Sequence, residues 1–161
     1  MGSPHALMLP YPAQGHVVPL MELAHCLVDR GFKITFINTE YNHSRVVAAS
    51  CKKGEDMGRI RLVTVPDGLE PGEDRNDIGR LTQGLLNVTP GCLEELIRNS
   101  NETWEEKITC FIVDWSMAWI LEVAQKMGLR SAIFWPSSPA MLAATLSIPK
   151  LTEGGIIEEN G

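Results

Sequence analysis

Apolar residues along this chain alternate between two kinds of stretch. Short, nearly continuous apolar runs come at His5 to Pro10, Phe32 to Ile37, Ile60 to Val65, Ile108 to Val113 and Ser131 to Trp135. Their length, and the Gly, Pro and Asp residues that bound them, predict five strands. Longer stretches of helical period lie between. Leu20, Leu23, Ala24, Leu27 and Val28 share one face of a helix out to Arg30, with Pro19 placed in its first turn and Gly31 closing it. A polar helix is predicted from Asn42 to Cys51, followed by a charged loop over Lys52 to Asp56. Ile78, Leu81, Leu85 and Val88 share a face that Leu93, Leu96 and Ile97 continue, and Pro90-Gly91 predicts a kink or break there. Ser116 is placed as the cap of a helix reaching Gly128, with Ile120, Val123, Ala124 and Met127 inside. Ser137 to Leu146 forms a last short helix. Pro66 to Asp77, rich in Pro, Gly and acids, reads as a loop, and from Pro149 onward no core period is left.

Regular alternation of strand and helix predicts an α/β fold, a Rossmann-like doubly wound parallel sheet with right-handed crossovers. The continuous apolar character of the fourth strand means that both its faces are covered. In the common strand order, strand 1 lies beside strand 4 where the winding reverses, and ligands bind above the carboxyl ends there.

Composition narrows the function classes. The 161 residues, 44% apolar, suit one domain with a real core. A net charge of −6 without a basic cluster argues against nucleic acid and anionic membranes. Cys26, Cys51, Cys92 and Cys110 are widely spaced; Cys26 and Cys110 fall in apolar segments and read as small core residues in a reducing compartment. No apolar run is long enough for a signal peptide or a membrane span, so the expected location is cytoplasmic and the sequons at Asn42, Asn87 and Asn101 stay unmodified.

The candidate chemistry lies at two strand ends. His16 follows the first strand by a short loop, and Asp114 ends the fourth. Neighbouring strands lie about 4.8 Å apart, so with strands 1 and 4 adjacent the two residues share one crevice. The carboxylate orients one ring nitrogen and stabilises the imidazolium; the other nitrogen takes a proton from a bound hydroxyl. Taken separately, a lone histidine is commonly a surface group and a strand-end aspartate a helix cap. No metal site is expected, because His5, His25 and His43 lie in other elements. A dinucleotide site is disfavoured, because the loop has one glycine where G-x-G-x-x-G needs three. Trp115, Trp119 and Trp135 fall near one end of the sheet, as a pocket for a flat apolar molecule requires, although helix–sheet packing accounts equally well for Trp119.

The run Pro10-Tyr11-Pro12-Ala13-Gln14-Gly15-His16-Val17-Val18-Pro19 after a first strand resembles the plant UDP-sugar-dependent glycosyltransferases of small molecules, which have the GT-B fold. Gly31-Phe32-Lys33-Ile34-Thr35-Phe36, the strand ending in Asp114 and the layout through Ile148-Pro149-Lys150 extend the likeness over essentially the whole chain. The resemblance implies the N-terminal, acceptor-binding domain of a two-domain enzyme, residues 1–150, followed by an acidic, glycine-rich mobile segment at 151–161. It implies His16 as general base and Asp114 as its orienter, in an inverting, metal-independent transfer. Gln14 and Gly15 would shape the loop; Trp115, Trp135, Leu81 and Leu85 would line the acceptor pocket; Ser137 and Ser138 would lie near the donor sugar. No cofactor is implied: the UDP-sugar, by default UDP-glucose, is a co-substrate, and the acceptor is a hydrophobic hydroxyl compound.

The family's donor box lies in a C-terminal domain that this sequence does not contain, so the chain is expected to act only with such a domain and to be inactive alone. The competing reading is a non-catalytic small-molecule binding or interaction module with the same fold and an idle His16.

Overall fold

A computed structural model describes residues 3–43, 57–103 and 107–158. The helix expected over Asn42 to Cys51 falls mostly outside these residues, as do the loop at 52–56, Cys51 and Trp104; residues 40–43 are helical. Five parallel strands form one sheet in the order β3-β2-β1-β4-β5. They are β1 (His5–Leu9), β2 (Lys33–Thr39), β3 (Ile60–Val65), β4 (Cys110–Asp114) and β5 (Arg130–Phe134). The expected adjacency of the first and fourth strands holds, with Ala6 opposite Cys110 and Leu9 opposite Val113.

The sheet is covered on both faces, and the alternation along β1 shows how. Ala6 and Met8 point to α1 (Gln14–Val28), where Val17, Leu20 and Ala24 are buried with Ile34 and Phe36. Leu7 and Leu9 point the other way, to α2 (Ile78–Thr103) and α3 (Leu121–Lys126). There Leu81, Leu85, Leu93 and Ile97 meet Phe111, Val113, Met117 and Ile120. Alternate residues of a strand face opposite sides, so a strand buried on both needs apolar residues throughout.

Several boundaries differ from expectation. The first helix begins at Gln14, so Gln14, Gly15 and His16 form its first turn rather than a loop, and Pro19 lies inside it. Proline there leaves the Gly15 carbonyl without its usual i+4 donor. The second long helix runs unbroken through Pro90 from Ile78 to Thr103. Its inner face is apolar on both sides of the proline, and Leu86, four residues before it, is exposed. Asp114, not Ser116, caps the 3₁₀ turn Trp115–Ile120: its carboxylate accepts from the Ser116 N–H at 2.8 Å. The last helix, α4 (Pro139–Glu153), is capped by Ser138 and carries through Pro149, where loop was expected. Cys26 is exposed rather than in the core, while burial pushes the thiols of Cys92 and Cys110 up from their ordinary values.

The segment between β3 and α2 is the expected loop, and glycine fixes its seat. Gly68 has φ +77°, which L side chains rarely adopt, and it lies directly against the Gly84 backbone of α2. A Cβ on Gly84 would stand 2.6 Å from the Asp67 carbonyl oxygen. Alanine normally gains about 1 kcal/mol over glycine within a helix, but overpacking costs about 1–3 kcal/mol. The clash is with backbone that cannot rotate aside, so Gly84→Ala is expected to destabilise the fold. Urea unfolding monitored by far-UV circular dichroism checks this; a stabilised variant would contradict the close approach.

Candidate active site

The β1–β4 adjacency brings His16 and Asp114 together. His16 Nδ1 lies 3.0 Å from Asp114 Oδ2. Asp114 is fully buried, whereas His16 is 29% exposed. An ionised carboxylate only accepts hydrogen bonds, so Nδ1 carries the proton it donates and Nε2 is left with a lone pair. The two carboxylate oxygens are divided: Oδ1 accepts from the Ser116 N–H and Oδ2 from His16. Asp114 therefore caps the turn and hydrogen-bonds His16 at once. Tyr11, buried just after β1, sets its ring 5.4 Å from the imidazole at 58° and brings its hydroxyl 3.4 Å from Thr82 Oγ1 of α2. The imidazole is thus fixed by a hydrogen bond on one edge and an aromatic ring against it.

His16 opens on a cleft of about 1020 Å³, large enough for a drug-sized molecule. Its walls come from the start of α1, the end of β2, the 66–77 loop and the start of α2. Gln14, Val18, Met21, Ile78 and Leu81 are among the lining side chains. Ile78, aligned with the buried face of α2 in the sequence pattern, is instead 69% exposed on the cleft.

Arg75 organises the loop wall. Its Nε donates to Asp67 Oδ2 at 3.0 Å, and its two terminal nitrogens donate to Asp67 Oδ1 and to the carbonyls of Leu69, Glu70 and Glu73. The hydrogen bond to Asp67 raises its already high pKa. The Tyr41 ring lies 5.0 Å from the guanidinium carbon, a cation–π distance. Asn42 Nδ2 donates to the Pro12 carbonyl at 2.7 Å, tying the segment after β2 to the turn before His16.

The other expected site residues are placed as follows. Leu81 lines the cleft, but Leu85 is buried in the core beneath it. Gly15 is exposed in the first turn of α1 and does not line the cleft. Trp115 and Trp135 pair edge to face, centroids 5.3 Å apart, beyond the ends of β4 and β5. They stand outside the cleft walls. Trp135 Nε1 donates to the Ser138 carbonyl, Ser137 is exposed, and the Ser138 hydroxyl caps α4. Trp119 packs against the core, as ordinary helix–sheet packing has it. Tyr11, Tyr41, Asn42 and Arg75 were not among the expected site residues. Arg75 had a signal, being the lone cation between Glu70 and Asp77, a composition that points to an internal ion pair.

No protein-family model matches the chain. Curated relatives do. UDP-glycosyltransferase 83A1 of Arabidopsis thaliana is 40% identical over the whole chain, which spans 36% of that protein. The (R)-mandelonitrile beta-glucosyltransferase of Prunus dulcis is 31% identical over 96% of the chain and 33% of its own length. Among solved structures, TcCGT1 in complex with UDP superposes with a TM-score of 0.76 over 98% of this chain and 33% of that one, at 22% identity. The chain thus spans about a third of the length of the relatives it matches. By sequence it is similar to the N-terminal part of plant UDP-glycosyltransferases, and by fold it is a Rossmann-like α/β domain that superposes on about a third of such a solved structure.

Proposed function

We propose that this chain is the acceptor half of an enzyme that transfers a sugar, by default glucose, from a UDP-sugar to a hydroxyl of a hydrophobic small molecule. The observation that carries the proposal is the His16–Asp114 pair at the mouth of the cleft. An acceptor hydroxyl in the cleft gives its proton to His16 Nε2 as its oxygen attacks the anomeric carbon. Asp114, holding the Nδ1–H, stabilises the imidazolium that results. The attacking oxygen and the departing UDP lie on opposite faces of the sugar, so configuration inverts. The acid-base work is assigned to this pair and no metal is invoked. The relatives' names support the reaction class: one is a UDP-glycosyltransferase and another an (R)-mandelonitrile beta-glucosyltransferase.

The donor enters from the side of β5 and α4, and a C-terminal domain holds it. Exposure supports this placement. Residues 130–133 of β5 are exposed, α4 buries none of its residues, and Met141, Leu146 and Ile148 present apolar surface. Free thiols at Cys26, Cys92 and Cys110 suit the cytosol.

The test joins this chain to the C-terminal remainder of the 40%-identical Arabidopsis relative and assays phenolic acceptors with UDP-glucose. Glucoside is expected from the fusion and not from the chain alone. His16→Ala should lower kcat by about 10²–10⁴-fold, the usual worth of a general base. Full turnover in that variant would remove His16 from the mechanism. Asp114→Asn keeps an oxygen for the Ser116 cap but loses the charge opposite the imidazolium. It should lower kcat with KM nearly unchanged, because Asp114 is buried behind His16 and reaches no substrate. Steady-state kinetics on the folded variant separates the two constants, and a change confined to KM would contradict the assignment.

A further inference from the structure

Behind the cleft lies a second, much smaller void of about 10 Å³. Pro12, Val17, Thr39 and Asn42 line both, so the two are separated by little more than a shared wall. Pro12 and Asn42 are the residues joined by the 2.7 Å bond before the start of α1. The far side of the void is core, with Leu85 of α2 and Met117 after β4.

Two buried polar side chains line this void: Asn38, near the end of β2, and Thr89 of α2. Asn38 is 3% exposed and Thr89 is fully buried. Among the described residues, neither amide atom of Asn38 nor the Thr89 hydroxyl has a hydrogen-bond partner. A threonine inside a helix commonly settles its hydroxyl on the carbonyl four residues back. Thr103, Thr145 and Thr152 do so here; Thr89 does not. Three polar atoms thus meet at one void with their hydrogen bonds unmade, a costly arrangement in a protein interior. The size of the void selects what can complete them. About 10 Å³ is the volume at which a cavity admits one water, and no organic group larger than that fits. No charged side chain is among the described lining residues, so an ion would have nothing to balance it. A purely apolar void of this kind would stay dry; one with an amide and a hydroxyl on its wall offers a water its partners.

We propose that this void is a specific binding site for one water molecule, held between the Asn38 amide and the Thr89 hydroxyl. The water accepts from the Asn38 Nδ2–H and donates to Thr89 Oγ1, and its second proton serves Asn38 Oδ1. It joins the end of β2 to α2, two elements that carry cleft walls, by hydrogen bonds where packing alone would otherwise hold them. The site stands whether or not the chain takes part in sugar transfer.

The test is a crystal structure at a resolution that orders internal water, of the chain either free or in the fusion described above. A density peak is expected in the void, about 2.7–3.2 Å from both the Asn38 amide and Thr89 Oγ1. Urea unfolding of Thr89→Val gives a second reading. Valine keeps the branched shape and removes the hydroxyl, so a bound water loses one partner and Asn38 loses part of its bridge. The unfolding equilibrium constant at fixed urea should then rise about fivefold, the usual worth of a lost hydrogen bond. A dry void predicts the opposite sign, because valine would put a methyl in place of a buried, unpaired hydroxyl. An empty void with both side chains in place, a direct bond between Asn38 and Thr89, or a Thr89→Val variant at least as stable as the parent overturns the proposal.

Discussion

Everything at the site depends on a carboxylate that has no access to water. Asp114 is fully buried at the end of β4, and an ionised group so placed must have its oxygens satisfied within the protein. The fold supplies one donor from the next turn, the Ser116 N–H, and one from a helix about a hundred residues earlier, His16 Nδ1. The second exists only because β1 and β4 pair in register, with Leu9 opposite Val113. Sheet order, helix cap and histidine tautomer are thus one linked constraint. Shifting the β1–β4 register by one residue would turn the neighbouring side chains to the opposite face and leave the carboxylate without its imidazole partner.

The cleft in front of this pair is built by a different kind of interaction. Its outer wall is a loop with no regular structure, and such segments hold a shape only when their backbone polar groups find partners. Arg75 provides them by gathering three carbonyls and a carboxylate around one planar group. The Gly68–Gly84 contact then anchors the loop to α2. The wall is thus specified by a few residues, and the rest of the loop is left to set the chemistry that a ligand meets.

The parts legible in the sequence were those governed by period and by strand ends. Five apolar runs set out the sheet, and the expected place of strand 4 beside strand 1 already paired His16 with Asp114. What was hidden depends on tertiary context. Pro19 suggested a helix start, but the α1 backbone begins at Gln14 and tolerates the proline within. Pro90 suggested a break, but the apolar inner face of α2 on both sides of it outweighs one missing hydrogen bond. Leu81 and Leu85 share one helical period, and only the position of the loop decides that the first meets the cleft and the second the core. Asp114 was expected at the end of strand 4, and its two oxygens take different partners, one the Ser116 N–H and the other His16.

The two sides of His16 differ in a way that bears on how the proposed transfer would be divided. On the side of β2, the 66–77 loop and α2 the cleft walls are made by this chain, and His16 stands at the mouth of that cleft. On the side of β4 and β5 the Trp115–Trp135 pair stands at the sheet's end, β5 is an exposed edge, and α4 buries nothing. A displacement at the anomeric carbon needs the acceptor oxygen and the leaving group on opposite faces of the sugar. In the proposed transfer, an acceptor held in the cleft would therefore put the sugar across His16 from it, toward the exposed side. Under the proposed function the base sits with the acceptor half because the proton it removes must leave as the new bond forms.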